Sequence, residues 1–174
     1  MPIALSWEHR LEDIPASGLA IERVADAAER QQVAAALDLN ALMSFSARYQ
    51  ITPLSLSRYK LTGELNADIE QTCVATLEPV TAAIRESYAA TYWPQETMPE
   101  PAAGQVDLNA AEPDPEPIVD GKIDVGRIIF ESLAAAIDPF PRRPGAEFDG
   151  PLTAPTGSTP ESPFAVLASL KDKT

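Results

Sequence analysis

Three long stretches of strict alternation constrain this chain more than any other feature. Met43, Phe45, Ala47, Tyr49 and Ile51 share one side, opposite Ser44, Ser46, Arg48 and Gln50. Tyr59, Leu61, Gly63, Leu65, Ala67 and Ile69 then stand opposite Lys60, Thr62, Glu64, Asn66, Asp68 and Glu70, and the pattern runs on to Cys73. Val80, Ala82, Ile84, Tyr88, Ala90 and Tyr92 form a third run, which Glu86 interrupts. A period of two puts alternate side chains on opposite faces of a strand, so each run reads as a strand with one buried face. The second exceeds the usual strand of roughly 3–10 residues. A bend or bulge is expected in it, at Gly63, where no Cβ obstructs one. Thr76-Leu77-Glu78-Pro79 is a short connection, so the second and third runs should pair antiparallel.

Around these runs the remaining elements follow from capping and turn chemistry. Leu5, Trp7, His9 and Leu11 alternate with Ser6, Glu8 and Arg10, which suggests a further strand, and Leu19–Ala25 reads as another after a turn at Pro15–Gly18. Asp26–Leu39 is expected to be helical, with Asp26 as N-cap, Glu29 in the capping-box position and Asn40 as a left-handed terminator. Asp124–Ile137 is a second helix, with Val125, Ile129 and Leu133 on one stripe and Asp138-Pro139 as its stop. The stretch 94–120 holds 6 Pro and 7 acidic residues with no Lys or Arg, a composition that resists helix and sheet. Ser162-Pro163 would open a last short helix with Phe164, Leu167 and Leu170 on one side. The expected fold is α+β. An antiparallel sheet, which the long bent strand would curl toward a barrel, packs with two main helices. Residues 1–138 form one domain with 94–120 as an acidic Pro-rich insertion. Residues 139–163 are a Pro-rich tether, and 164–174 a docking helix and tail. Phe164 and Leu167 are its expected anchors.

Charge and residue counts exclude several functions. The chain carries 13 Lys and Arg against 26 Asp and Glu, a formal net charge of -13. A negative surface repels phosphate, which disfavours nonspecific binding to nucleic acid or anionic lipid. One Cys and one His cannot make an intrachain disulfide or complete a tetrahedral zinc site of nitrogen and sulfur ligands. No apolar run approaches the roughly 18 residues of a membrane helix, and no signal peptide opens the chain, so the expected compartment is the cytoplasm. No phosphate-binding glycine loop is present. His9 lies on the apolar face of an alternating run, where a packed structural role is expected. Cys73 lies on the apolar face of its strand and reads as a buried, inert thiol. No enzyme, cofactor, metal or small-molecule substrate is expected.

Basic residues are sparse. Arg58 and Lys60 share the polar face of one strand, with Arg48 beside them. Arg142 and Arg143 lie in Asp138-Pro139-Phe140-Pro141-Arg142-Arg143-Pro144, held extended by proline. The plain expectation for that pair is a surface turn with ion pairs to acids such as Asp138 or Glu147. The sharper one is a phosphate or carboxylate clamp.

Several segments, taken in order, resemble a known family. They are Arg58-Tyr59-Lys60-Leu61-Thr62-Gly63, the stretch Gln71–Val80 with Cys73, Glu78 and Pro79, Asp120–Gly126, Asp138–Gly145, and Ser162-Pro163-Phe164-Ala165-Val166-Leu167-Ala168. The set resembles the YceD family of large ribosomal RNA subunit accumulation proteins. That resemblance implies a role in building the large ribosomal subunit and no enzymatic activity. Many members carry further cysteines near residues 73 and 138–144. Here only Cys73 holds such a position, so a metal site is not expected. The acidic charge fits a factor that binds a basic large-subunit ribosomal or assembly protein, with the RNA affected indirectly. The alternative is direct RNA binding through a patch of Arg48, Arg58, Lys60, Arg142 and Arg143.

Overall fold

The structure is a computed structural model, and it describes residues 5–98 and 114–146. Elements follow in the order β1 (Glu8–Arg10), β2 (Leu19–Val24), α1 (Ala27–Ala36), β3 (Ala41–Pro53), β4 (Tyr59–Thr72), β5 (Pro79–Pro94), β6 (Glu116–Ile118), β7 (Lys122–Asp124) and α2 (Val125–Ala136). The fold is α+β. Five strands form one sheet in the order β2-β3-β4-β5-β6, antiparallel except for the β5–β6 pair, and β1 with β7 makes a separate two-stranded ribbon. The sheet is open. The expected curl toward a barrel does not occur, because β2 and β6 end the sheet on opposite sides and do not pair with each other.

The three alternating runs are β3, β4 and β5, and their register puts the apolar residues on one face. Phe45, Ala47 and Ile51 lie opposite Ala67, Leu65 and Leu61, and Leu61 and Ala67 lie opposite Ala90 and Ile84. Helix α1 covers this face over β3, and α2 covers it over β4 and β5. Phe45, Ile51, Leu61, Leu65, Ile69, Val33, Ile129 and Leu133 are fully buried there. The other face of the sheet carries Arg48, Lys60, Glu64, Asp68 and Arg85, all exposed.

The irregularity expected at Gly63 lies elsewhere. Gly63 pairs regularly with Tyr49 and Tyr88. Its missing side chain leaves room for Tyr88: a Cβ there would stand 2.7 Å from Tyr88 Oη and 2.6 Å from the Arg48 carbonyl oxygen. The register shift occurs in β3 between Leu42 and Ser44. It turns Met43 outward, to 49% exposure, and buries Leu42 in its place. An extra residue in one strand reverses which parity faces the core, so a slip at Met43 lets a long strand keep its apolar side inward.

Helix α1 is shorter than expected. The capping box forms, with Glu29 N donating to Asp26 Oδ1 (2.8 Å) and Asp26 N donating to Glu29 Oε2 (2.9 Å). The helix stops at Ala36, and Asp38 takes the left-handed conformation (φ 54°) in place of Asn40. A short polar side chain of either kind tolerates that region. The first strand is also shorter. Only Glu8–Arg10 pairs, and a 3-10 turn replaces it from Leu11. Leu5 and Trp7 are buried without belonging to a strand. The Trp7 carbonyl instead accepts from Val125 N (3.0 Å) and Gly126 N (3.1 Å), satisfying two amides that the start of α2 leaves without intrahelical partners. Gly126 permits this approach, since a Cβ there would meet the Leu5 carbonyl oxygen at 2.4 Å. Asp124 caps the same helix through Arg127 N (3.1 Å).

The acidic stretch is not wholly without structure. Glu116, Pro117 and Ile118 pair parallel with Tyr92, Trp93 and Pro94, and Ile118 is buried. An edge strand needs only one side of its backbone paired, so Pro117, which lacks an N–H, is admissible there. Residues 99–113, which make up most of the expected insertion, lie outside the described residues, as do 147–174, with most of the tether and the terminal segment with Phe164 and Leu167.

Candidate functional site

Two segments that are far apart in sequence meet at one end of the sheet. One is the β4–β5 connection, residues 73–78. The other follows α2, residues 138–143. The connection is closed by Cys73 N donating to the Glu78 carbonyl (2.8 Å) and Leu77 N donating to the Cys73 carbonyl (2.9 Å). The second segment docks by backbone. Val74 N donates to the Pro141 carbonyl (2.9 Å), and Gln71 Nε2 donates to the Asp138 carbonyl (3.0 Å). Asp138 Oδ1 accepts from Phe140 N (2.9 Å) and folds the turn that follows the helix. Pro139 and Pro141 hold the backbone extended, so its carbonyls and amides point sideways at the connection.

Cys73 is the hinge of this junction. Its side chain is fully buried, and Arg143 N donates to its Sγ at 3.4 Å. Hydrogen bonds from the Thr76 side chain first, then from the Arg143, Thr76 and Ala75 backbone, bring the thiol down to about 6. The expected inert thiol is buried as anticipated. What lowers it is neither a helix start nor a cationic cluster: the turn Cys73-Val74-Ala75-Thr76 and the Arg143 amide bring hydrogen-bond donors to the sulfur. The Arg143 guanidinium pairs with the Glu78 carboxylate, not with Asp138, and Glu147 lies outside the described residues. Arg142 is exposed beside it, and Pro79 opens β5 opposite Thr72.

The junction displays apolar surface. Leu77 is 78% exposed, Phe140 70% and Val74 46%. Leu77 also holds a left-handed backbone (φ 60°), which costs a Cβ-bearing residue roughly 1–2 kcal/mol. Sequence reasoning singled out Phe140 but missed Leu77 and Val74. The available signal was a large aliphatic residue between Thr76 and Glu78 in a tight connection, where polar residues or glycine are usual.

The remaining basic candidates stand elsewhere. Arg58 lies over the Trp93 ring, 3.5 Å from its centroid, and Lys60 is exposed nearby, at the opposite end of β4 from Cys73. Thirteen residues of extended strand separate Lys60 from Cys73, on the order of 40 Å. Arg48 pairs with Glu22 at 3.0 Å. The five cations Arg48, Arg58, Lys60, Arg142 and Arg143 therefore do not form one patch.

A second concave feature is acidic. A cavity of about 240 Å³ between β1, β6, β7 and the start of α2 is lined by Glu8, Glu116, Asp120 and Asp124, with Lys122 and Arg127 as its cations. Lys122 pairs with Glu8 (2.8 Å) and Arg127 with Glu116 (3.1 Å). Partial burial raises the Glu116 and Asp124 carboxyls above their usual range, and neighbouring carboxylates add to it. Among the described residues no group of three or more His, Cys, Asp or Glu is placed to hold a metal, and no helix is long and apolar enough to cross a membrane. His9 is held by Tyr49, with 2.8 Å between Nε2 and Oη.

The family model for the large ribosomal RNA subunit accumulation protein YceD matches residues 61–171. The chain belongs to the YceD family. Both segments of the Cys73 junction fall within the matched region, whereas β1, β2, α1 and β3 precede it. No curated protein and no solved structure matches the chain. Membership in the YceD family ties the chain to accumulation of the RNA of the large ribosomal subunit.

Proposed function

We propose that this protein is a non-enzymatic factor that supports large-subunit RNA by binding a basic ribosomal or assembly protein. The observation that carries this reading is the state of its cations. The described residues include eleven Lys and Arg. Arg10, Arg48, Lys122, Arg127 and Arg143 pair with the protein's own carboxylates. Arg23 and Arg58 lie over Trp7 and Trp93, and Arg30 donates to the Ala25 carbonyl. Eight of the eleven are thus engaged internally, while the whole chain keeps a net charge of -13. Such a surface attracts a cationic polypeptide and repels the phosphate backbone. The acidic cavity gathers part of that excess where a lysine or arginine side chain could enter.

The test is affinity purification of the tagged chain from its own cells, with and without nuclease. Retention of a basic large-subunit or assembly protein after nuclease treatment supports the reading. Loss of every such protein together with the RNA contradicts it. A role for Cys73 as a nucleophile is checked separately by Cys73→Ser. Full complementation is expected, and loss of function in a variant that still folds would point to chemistry at the thiol.

A further inference from the structure

We infer that the exposed apolar corner of Val74, Leu77 and Phe140 is the docking site of this chain's own C-terminal segment, residues 162–171. The corner is a built feature. Its two segments are locked together by the Val74 N–Pro141 carbonyl bond and by Arg143 N on Cys73 Sγ, so the apolar side chains are presented on a fixed backbone. Leu77 is both strained in its backbone and 78% exposed. Neither property helps the isolated domain. The exposure is explained if the side chain is covered by something else.

Where the described chain ends points to the occupant. Arg143 is fixed at the corner, Ala146 N bonds back to the Arg143 carbonyl (2.9 Å), and the remaining residues begin one step later. Fifteen residues, 147–161, separate Ala146 from Ser162, with Gly150 and Gly157 among them. Fully extended, a linker of that length reaches at most about 50 Å, and Gly150 and Gly157 let it turn between Pro151, Pro155 and Pro160, so the segment can return to its own starting point. The segment has the matching chemistry. Phe164, Leu167 and Leu170 recur at helical spacing behind Ser162-Pro163, a good helix start. So short a helix does not hold alone in water and needs an apolar surface against its stripe. The family match extends to residue 171, so the shared pattern includes this segment along with the corner.

Amide hydrogen exchange on the full-length protein tests the inference. In the wild type the amides of 164–170 should exchange at least about tenfold slower than an unstructured chain, independently of protein concentration. Leu77→Gly with Phe140→Ser removes the two most exposed of the corner's three side chains while relieving the strained backbone, and should abolish that protection. Leu167→Asp should do the same from the other side. Unchanged protection of the β3 and β4 amides certifies the fold in both variants. Coil-like exchange of 164–170 in the wild type overturns the inference. So does protection that survives the Leu77→Gly/Phe140→Ser change. Protection that rises with protein concentration assigns the corner to the segment of a second copy, and overturns docking within one chain.

Discussion

Single residues carry constraints that can be measured directly. Gly126 is required by the 2.4 Å approach of the Leu5 carbonyl to the place a Cβ would occupy. Backbone atoms cannot rotate away as a flexible side chain can. Gly126→Ala should therefore destabilise the fold by about 1–3 kcal/mol, despite alanine's better helix propensity, and lower the midpoint of thermal unfolding. The Cys73 thiol, at about 6 in the folded state, lies below the ordinary value of about 8.5. Between those values the unfolded chain binds more protons, so stability rises with pH. The contribution is complete above the unfolded value and is lost as pH falls through about 6. Wild type minus Cys73→Ser stability, followed by denaturant titration, should grow across that window. A flat difference would show that the thiol is not ionised in the fold.

Elements were legible in the sequence where one local rule governed them. The runs 43–51, 59–73 and 80–92 became β3, β4 and β5 because alternation with one buried face has few other solutions. The capping box at Asp26 and Glu29 formed as read. Asp26→Ala should cost about 1 kcal/mol, measurable by chemical denaturation, since it leaves the start of α1 without its side-chain acceptor. Legibility failed where a tertiary partner competed with local pattern. Leu5 and Trp7 alternate like a strand, yet the Trp7 carbonyl serves the start of α2. Glu116-Pro117-Ile118 reads as loop by composition, and an available sheet edge made it a strand. The bulge sits at Met43 because register across three strands, not glycine alone, decides where an extra residue is tolerated. The junction at Cys73 was half legible. Its two segments stood out in the sequence, but their contact depends on α2 delivering Asp138 beside Gln71.

At the scale of the whole molecule the account is electrostatic. The carboxylates outnumber the cations two to one, and most described cations already have partners within the fold. Complex formation with a basic ribosomal protein should weaken steeply as salt rises, because screening acts mainly on exposed charge. Isothermal titration at low and physiological ionic strength would show it, and affinity insensitive to salt would argue for an apolar interface instead. The exposed arginines Arg142 and Arg143, the second paired with Glu78, are the means by which the contrary view, direct contact with RNA, would have to work. A gel shift with large-subunit ribosomal RNA, comparing wild type with Arg142→Glu/Arg143→Glu, puts the two views against each other. The account predicts no tight complex with the wild type and no difference between the proteins. Tight binding by the wild type that the double variant loses would contradict it.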